Sequence, residues 1–162
     1  MRNQEIKKIR SKVINFLGIK KLPDCKIKID KSLEKRVAFN KKIGKKYIIT
    51  ISPDNPNGLR HELIHLALKQ FIYSGLKINL PVPQKYEKEN KKTRFMEYLT
   101  ICLEIKMGSK EKIKENLNNY QEYGFSEINK FYKITDGYFN NRINQKLINK
   151  IIKSINWKNE II

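Results

Sequence analysis

From Leu59 to Ala67 the chain is apolar on nearly every side of a helix: Leu59, Leu63, Ile64, Leu66 and Ala67 leave no polar face, and Arg60 is the only lysine or arginine among them. A surface helix shows a polar stripe, so this run predicts a buried central helix around which the rest of the chain must pack. Both histidines of the chain, His61 and His65, are set into it, with Glu62 directly after the first. Residues at i and i+4 share a helix face, so both imidazoles can reach one metal ion while Glu62 stands beside them over a water molecule. A lone buried histidine is usually a neutral ring bonded to a carbonyl. Two on one face with an acid between them point instead to a metal site, and the implied chemistry is zinc-assisted hydrolysis.

A catalytic zinc ion takes three protein ligands and keeps one position for water. With no further histidine in the chain, the third ligand has to be a carboxylate, a cysteine or another side chain. Glu97 leads, because it lies in Phe95-Met96-Glu97-Tyr98-Leu99-Thr100-Ile101-Cys102-Leu103, an apolar helical run that follows a charged, proline-containing connection. The competing reading of Glu97 is a solvated position on the polar face of an amphipathic helix. Glu104, two turns further along the same face, is the other candidate ligand. Glu87 and Glu89 stand among lysines in an expected loop, and Asp136, in Thr135-Asp136-Gly137, reads as part of a turn.

A helix carrying two histidines, followed some thirty residues later by a glutamate helix, resembles the gluzincin group of zinc metallopeptidases. The likeness extends upstream, to an amphipathic first helix and a few short strands, and covers roughly residues 1 to 107. The compact minigluzincins and the ImmA/IrrE-like proteins are the branches nearest in size. The absence of a third histidine separates the chain from the SprT-like and metzincin layouts. Two departures stand out: the Ala-Asn that commonly follows the ImmA/IrrE glutamate is replaced by Tyr98-Leu99, and Ile101 stands where other gluzincins place an acid. The resemblance implies a zinc peptidase, more an endopeptidase than an exopeptidase, acting on a peptide or protein. His61, His65 and Glu97 would be its ligands, Glu62 its general base, and a sheet edge would pair with the extended substrate.

At 162 residues the chain suits one domain with a sizeable core. No stretch approaches the ~20 apolar residues of a membrane span, and the start, Met1-Arg2-Asn3-Gln4-Glu5-Ile6-Lys7-Lys8, has no apolar signal segment. A cytoplasmic protein is therefore expected, with Cys25 and Cys102 as reduced thiols. A net charge of +19 raises nucleic acid as a partner. The lysines, however, are spread from end to end with no interleaved aromatic platform, and together with abundant isoleucine and asparagine they match the bias of an AT-rich genome. The expectation is weak, non-specific nucleic-acid binding only.

Ile6, Ile9, Val13, Ile14, Phe16 and Leu17 predict an amphipathic helix stopped by Gly18. Residues 25–29 alternate as a strand, 36–40 form a weaker one and 46–51 the strongest, with 41–45 closing a hairpin. Residues 52–58 break the chain before the motif helix, which is expected to run to about Tyr73 and to end near Gly75. A connection at 76–92 then leads to the glutamate helix and its Gly108 stop, and further helices are expected near 110–119, 125–135 and 140–158. The whole predicts an α+β, zincin-like single domain over 1–162: a catalytic core at 1–107 and a helical C-terminal part at 108–162 that completes or covers the cleft. The rival to the enzyme is a non-proteolytic regulator on the same fold, binding a protein partner or nucleic acid. Glu62 argues against it, because a structural zinc has no use for a base.

Overall fold

In the computed structural model, which describes residues 1–34, 37–72 and 91–155, the apolar spacing from Ile6 to Leu17 becomes helix α1 (Asn3–Leu17). Gly18 ends it in the left-handed region at φ 59°. That turn lets Gly18 N–H reach Asn15 O and Ile19 N–H reach Ile14 O, which satisfies carbonyls the helix end would otherwise leave open. The fold is α+β, and its described residues fall into two compact units, Met1–Gln70 and Phe71–Ile162.

The first unit holds a mixed sheet of β1 (Cys25–Ile29), β2 (Ala38–Ile43) and β3 (Lys46–Ile51) in the order β1-β3-β2. β1 runs parallel to β3, and β2 runs antiparallel to it. The central strand β3 buries Ile49 and Ile51 completely, as the most apolar of the three should. β2 starts and ends later than its sequence suggests, and Arg36 lies outside the described residues. Gly44, at φ 57°, closes the hairpin with Lys45 alone, so Lys41, Lys42 and Ile43, expected in the loop, pair with Ile48, Tyr47 and Lys46.

The motif helix is α2 (Pro56–Leu68), packed on α1 and on β2 and β3. It begins inside the expected break because Pro56 needs no N–H partner in the first turn and Asn55 Oδ1 accepts the Gly58 N–H at 2.9 Å. It ends at Leu68, short of Tyr73, as Gln70 N–H turns in to Ala67 O at 3.2 Å. Leu59, Leu63, Ile64, Leu66, Ala67 and Leu68 are all 0% exposed, as expected of a helix apolar on every side. Each of these leucine and isoleucine side chains contributes about 1.5–3 kcal/mol by its burial. Residues 73–90, and with them Gly75, Glu87, Glu89 and most of the expected connection, lie outside the described residues.

The described residues of the second unit form helices α3 (Lys91–Met107), α4 (Ile113–Glu122), α5 (Ile128–Tyr138) and α6 (Gln145–Ser154), with a 3₁₀ turn at Lys110–Lys112 before α4. α3 packs on α4 and α5, and α5 packs on α6. Tyr98 stacks on Phe131 with ring centroids 5.2 Å apart, Phe95 meets Phe131 at 5.7 Å, and Tyr98 meets Phe125 edge-on at 5.2 Å. Helix α5 continues through Asp136 and Gly137 to Tyr138, so Asp136 is a helical residue and not a turn residue, paired across to Lys106. The last helix starts at Gln145 because Asn144 Oδ1 caps it through Leu147 N–H at 2.9 Å. Its apolar stripe, Leu147, Ile148 and Ile151, is core; residues 156–162 lie outside the described residues.

Candidate metal centre

Helix periodicity places His61 and His65 one turn apart on α2, and their Nε2 atoms stand 3.1 Å from each other. His65 is buried at 4% exposure and His61 is half-buried. His61, His65 and Glu97 each offer one ligand atom, and these atoms all lie within 4.8 Å of one another. This is the donor set the sequence singled out, and it is compatible with a bound metal ion. Glu104 is not in that set; its carboxylate receives the Tyr120 hydroxyl at 3.5 Å.

Glu62, between the histidines in sequence, is buried at 6% exposure. A buried carboxylate needs a donor, and β2 supplies one: Asn40 Nδ2 donates to Glu62 Oε2, while Asn40 Oδ1 accepts from Lys69 Nζ. The Lys69 ammonium lies over the Tyr47 ring, 5.0 Å from its centroid, and the Lys42 ammonium approaches the same ring at 5.8 Å. Burial draws Lys69 below the usual lysine range; the Glu62 carboxylate opposes that fall and Lys42 adds to it. Sequence reasoning missed both Asn40 and Lys69. The signals were present: Asn40 shares its strand face with Ala38, which abuts Gly58 of α2, and Lys69 follows Glu62 by seven residues, two turns along one helix face.

Beside this helix β2 presents a backbone edge. Ser52 N–H donates to Val37 O at 2.9 Å, which makes 37 and 52 a hydrogen-bonded pair of the antiparallel ladder. Bonded and non-bonded pairs alternate, so Phe39, Lys41 and Ile43 spend their backbone groups on β3. Ala38, Asn40 and Lys42 turn theirs outward, and among the described residues no strand pairs with them.

Tyr98 is core, its hydroxyl raised in pKa by burial and placed beside Arg94, Ser126 and the backbone of Glu127. Tyr120 packs edge-on against Phe125 at 5.9 Å, Tyr132 is buried at 8% exposure, and Tyr138 accepts from Ser154 Oγ at 3.0 Å. Tyr123 is 72% exposed. Cys25 and Cys102 are both free thiols. Among the described residues no helix is long and apolar enough to cross a membrane. Comparison with protein families, with curated proteins and with solved structures gave no match to this chain.

Proposed function

We propose that this chain is a zinc-dependent peptidase in which His61, His65 and Glu97 hold the metal and Glu62 is the general base. The observation that carries the reading is the convergence of two imidazole nitrogens and one carboxylate beside a buried glutamate that is not among them. Two nitrogens of a tetrahedral zinc site with Zn–N of ~2.0–2.1 Å stand about 3.3 Å apart, close to the 3.1 Å between His61 and His65. A nitrogen, nitrogen and oxygen set with a fourth position for water is the catalytic pattern, whereas structural zinc is closed by four protein ligands. When bound, zinc supplies Lewis acidity, making water a nucleophile near neutral pH and polarising a carbonyl.

The chain's own residues supply the remaining chemistry. Glu62 takes a proton from the attacking water and returns it to the leaving amine nitrogen. The outward backbone groups of Ala38, Asn40 and Lys42 suit an extended peptide added as a further strand, and Asn40 brings that edge to Glu62. An edge of this kind accepts chain on both sides of the scissile bond, which favours an endopeptidase. The two free thiols suit a reducing, cytoplasmic setting.

The deciding experiment is Glu62→Gln assayed with peptide libraries and an unfolded protein, in the full chain and in one truncated after Gly137. The amide is nearly isosteric, so zinc content should persist while the rate falls by ~10²-fold or more. Equal hydrolysis by both proteins would assign the activity elsewhere. Zinc-loaded protein inactive with and without its tail would favour the regulator.

A further inference from the structure

We propose that Asn40 and Lys69 are positioning residues for Glu62, a clamp that fixes the orientation of its carboxylate and selects which oxygen meets water. The functional half of this proposal rests on the peptidase reading; the structural half rests on bonds within the first unit alone.

Glutamate has three side-chain torsions, and a base on α2 is useful in only one of the orientations they allow. Asn40 Nδ2 donates to Oε2, so Oε1, relieved of that bond, is the oxygen better placed to take a proton. The sense of the Asn40 amide matters here, because one end donates and the other only accepts. An amide free to turn over would present Oδ1 to Glu62, oxygen against oxygen. Lys69 prevents this: an ammonium has donors and no acceptor, so its bond to Oδ1 fixes the oxygen away from Glu62 and the NH₂ towards it.

Lys69 is itself held. Its backbone N–H donates to His65 O at 3.0 Å, and its ammonium rests over Tyr47, the β3 residue paired with Lys42 of β2. The clamp therefore runs from the turn that carries His65, through β2, back to Glu62. The neutral amide between the charges orients the carboxylate without setting a cation directly on either oxygen. Outer groups of this kind typically set metal-site activity by ~10–100-fold.

The test uses the zinc-loaded full chain with Asn40→Ala, Lys69→Met, Lys69→Arg and Glu62→Gln. In ¹⁵N–¹H spectra the Asn40 side-chain amide signals should move in Glu62→Gln and in Lys69→Met, and should stay in place in Lys26→Met, which changes an exposed lysine of β1. Amide signals indifferent to both Glu62→Gln and Lys69→Met would overturn the clamp whatever the protein hydrolyses. In peptide assays, Asn40→Ala and Lys69→Met should lower kcat by ~10–100-fold with KM nearly unchanged. Zinc content and melting temperature should match wild type, and Lys69→Arg should recover most of the rate. An unchanged kcat in Asn40→Ala, or a loss confined to KM, would remove the positioning role. A wild-type chain with no hydrolysis would sink the peptidase reading, and the amide signals would then decide the clamp alone.

Discussion

His65 Nε2 stands 3.1 Å from His61 Nε2, one turn apart on α2. Facing ring nitrogens at that separation must share a proton unless a cation takes both lone pairs. We expect about one zinc ion per chain, lost in His61→Ala and His65→Ala, weakened in Glu97→Ala and retained in Glu104→Gln. Metal analysis after dialysis reads the result. Retention in Glu97→Ala together with loss in Glu104→Gln would transfer the third ligand to Glu104.

Gly58 lies at a close approach between α2 and β2. A Cβ there would lie 2.3 Å from Asn55 Nδ2 and 2.7 Å from Ala38 Cβ. Asn55 is engaged at both ends, capping α2 through Gly58 N–H at 2.9 Å and donating to Val37 O at 3.3 Å. Gly58→Ala should therefore displace the cap and push β2 away, lowering stability by ~1–3 kcal/mol. Urea denaturation measures that loss. Because Asn40 rides on the same strand, kcat should fall too; wild-type stability and rate together would contradict the packing described.

Thiol labelling separates the cysteines. Cys102 is 0% exposed in α3, beside Thr135, and burial pushes its thiol far above the ordinary range. Cys25, half-buried at the start of β1, is raised by burial, with Arg10 opposing and Asp24 adding. The thiolate is the reactive form, so labelling should be slow near neutral pH and quicken as pH rises. Mass spectrometry should find Cys25 modified first and Cys102 only under denaturing conditions. Equal rates in the native protein would contradict the burial.

Asp30 closes the turn after β1. Its Oδ1 accepts the Ser32 hydroxyl at 2.6 Å and the Ser32 N–H at 3.0 Å, and its Oδ2 accepts Lys28 Nζ at 3.1 Å. These bonds, the Ser32 hydroxyl first, lower its pKa from 3.8 to about 2. A depressed folded pKa means that the contribution to stability is present above 3.8 and is lost as pH falls from 3.8 towards 2. Carboxyl NMR titration should show the Asp30 pKa rising towards 3.8 in Ser32→Ala. No change on that substitution would remove the hydroxyl as the main cause.

The buried motif helix, the amphipathic α1 and the strong β3 were legible because each follows from the period of apolar residues alone. The motif also put His61 and His65 on one helix face, with Glu62 beside them. Glu97 was chosen as a rare acid in an apolar run, and its ligand atom does fall with those of His61 and His65. The boundaries that shifted were decided by single residues acting on the backbone: Gly44 tightening the hairpin, Asn55 and Pro56 starting α2 early, Asn144 delaying α6. Period says nothing about such local terms. Arg94 was overlooked because a guanidinium in a charged segment looks solvated. It is 2% exposed, 4.4 Å from the Phe125 ring centroid and bonded to Gly124 O at 3.0 Å, contacts that depend on residues thirty positions away. Asn40 and Lys69 escaped notice for the same reason, since their roles come from a strand and a helix end meeting at Glu62.

The outward edge of β2 also governs how this chain behaves at high concentration. A row of open backbone donors and acceptors is a template that a second copy can extend into a ladder, and Phe39 and Ile43, 45% and 54% exposed, would stack along it. Lys41 and Lys42 in the strand and Lys45 and Lys46 at its turn, all exposed, place like charges along the line where two such edges would meet. That repulsion reaches ~10 Å at 0.1 M salt and only ~3 Å at 1 M. Concentrated salt, the common remedy for a basic protein that clings to nucleic acid during purification, thus removes what keeps these edges apart, and aggregation should set in as ionic strength climbs.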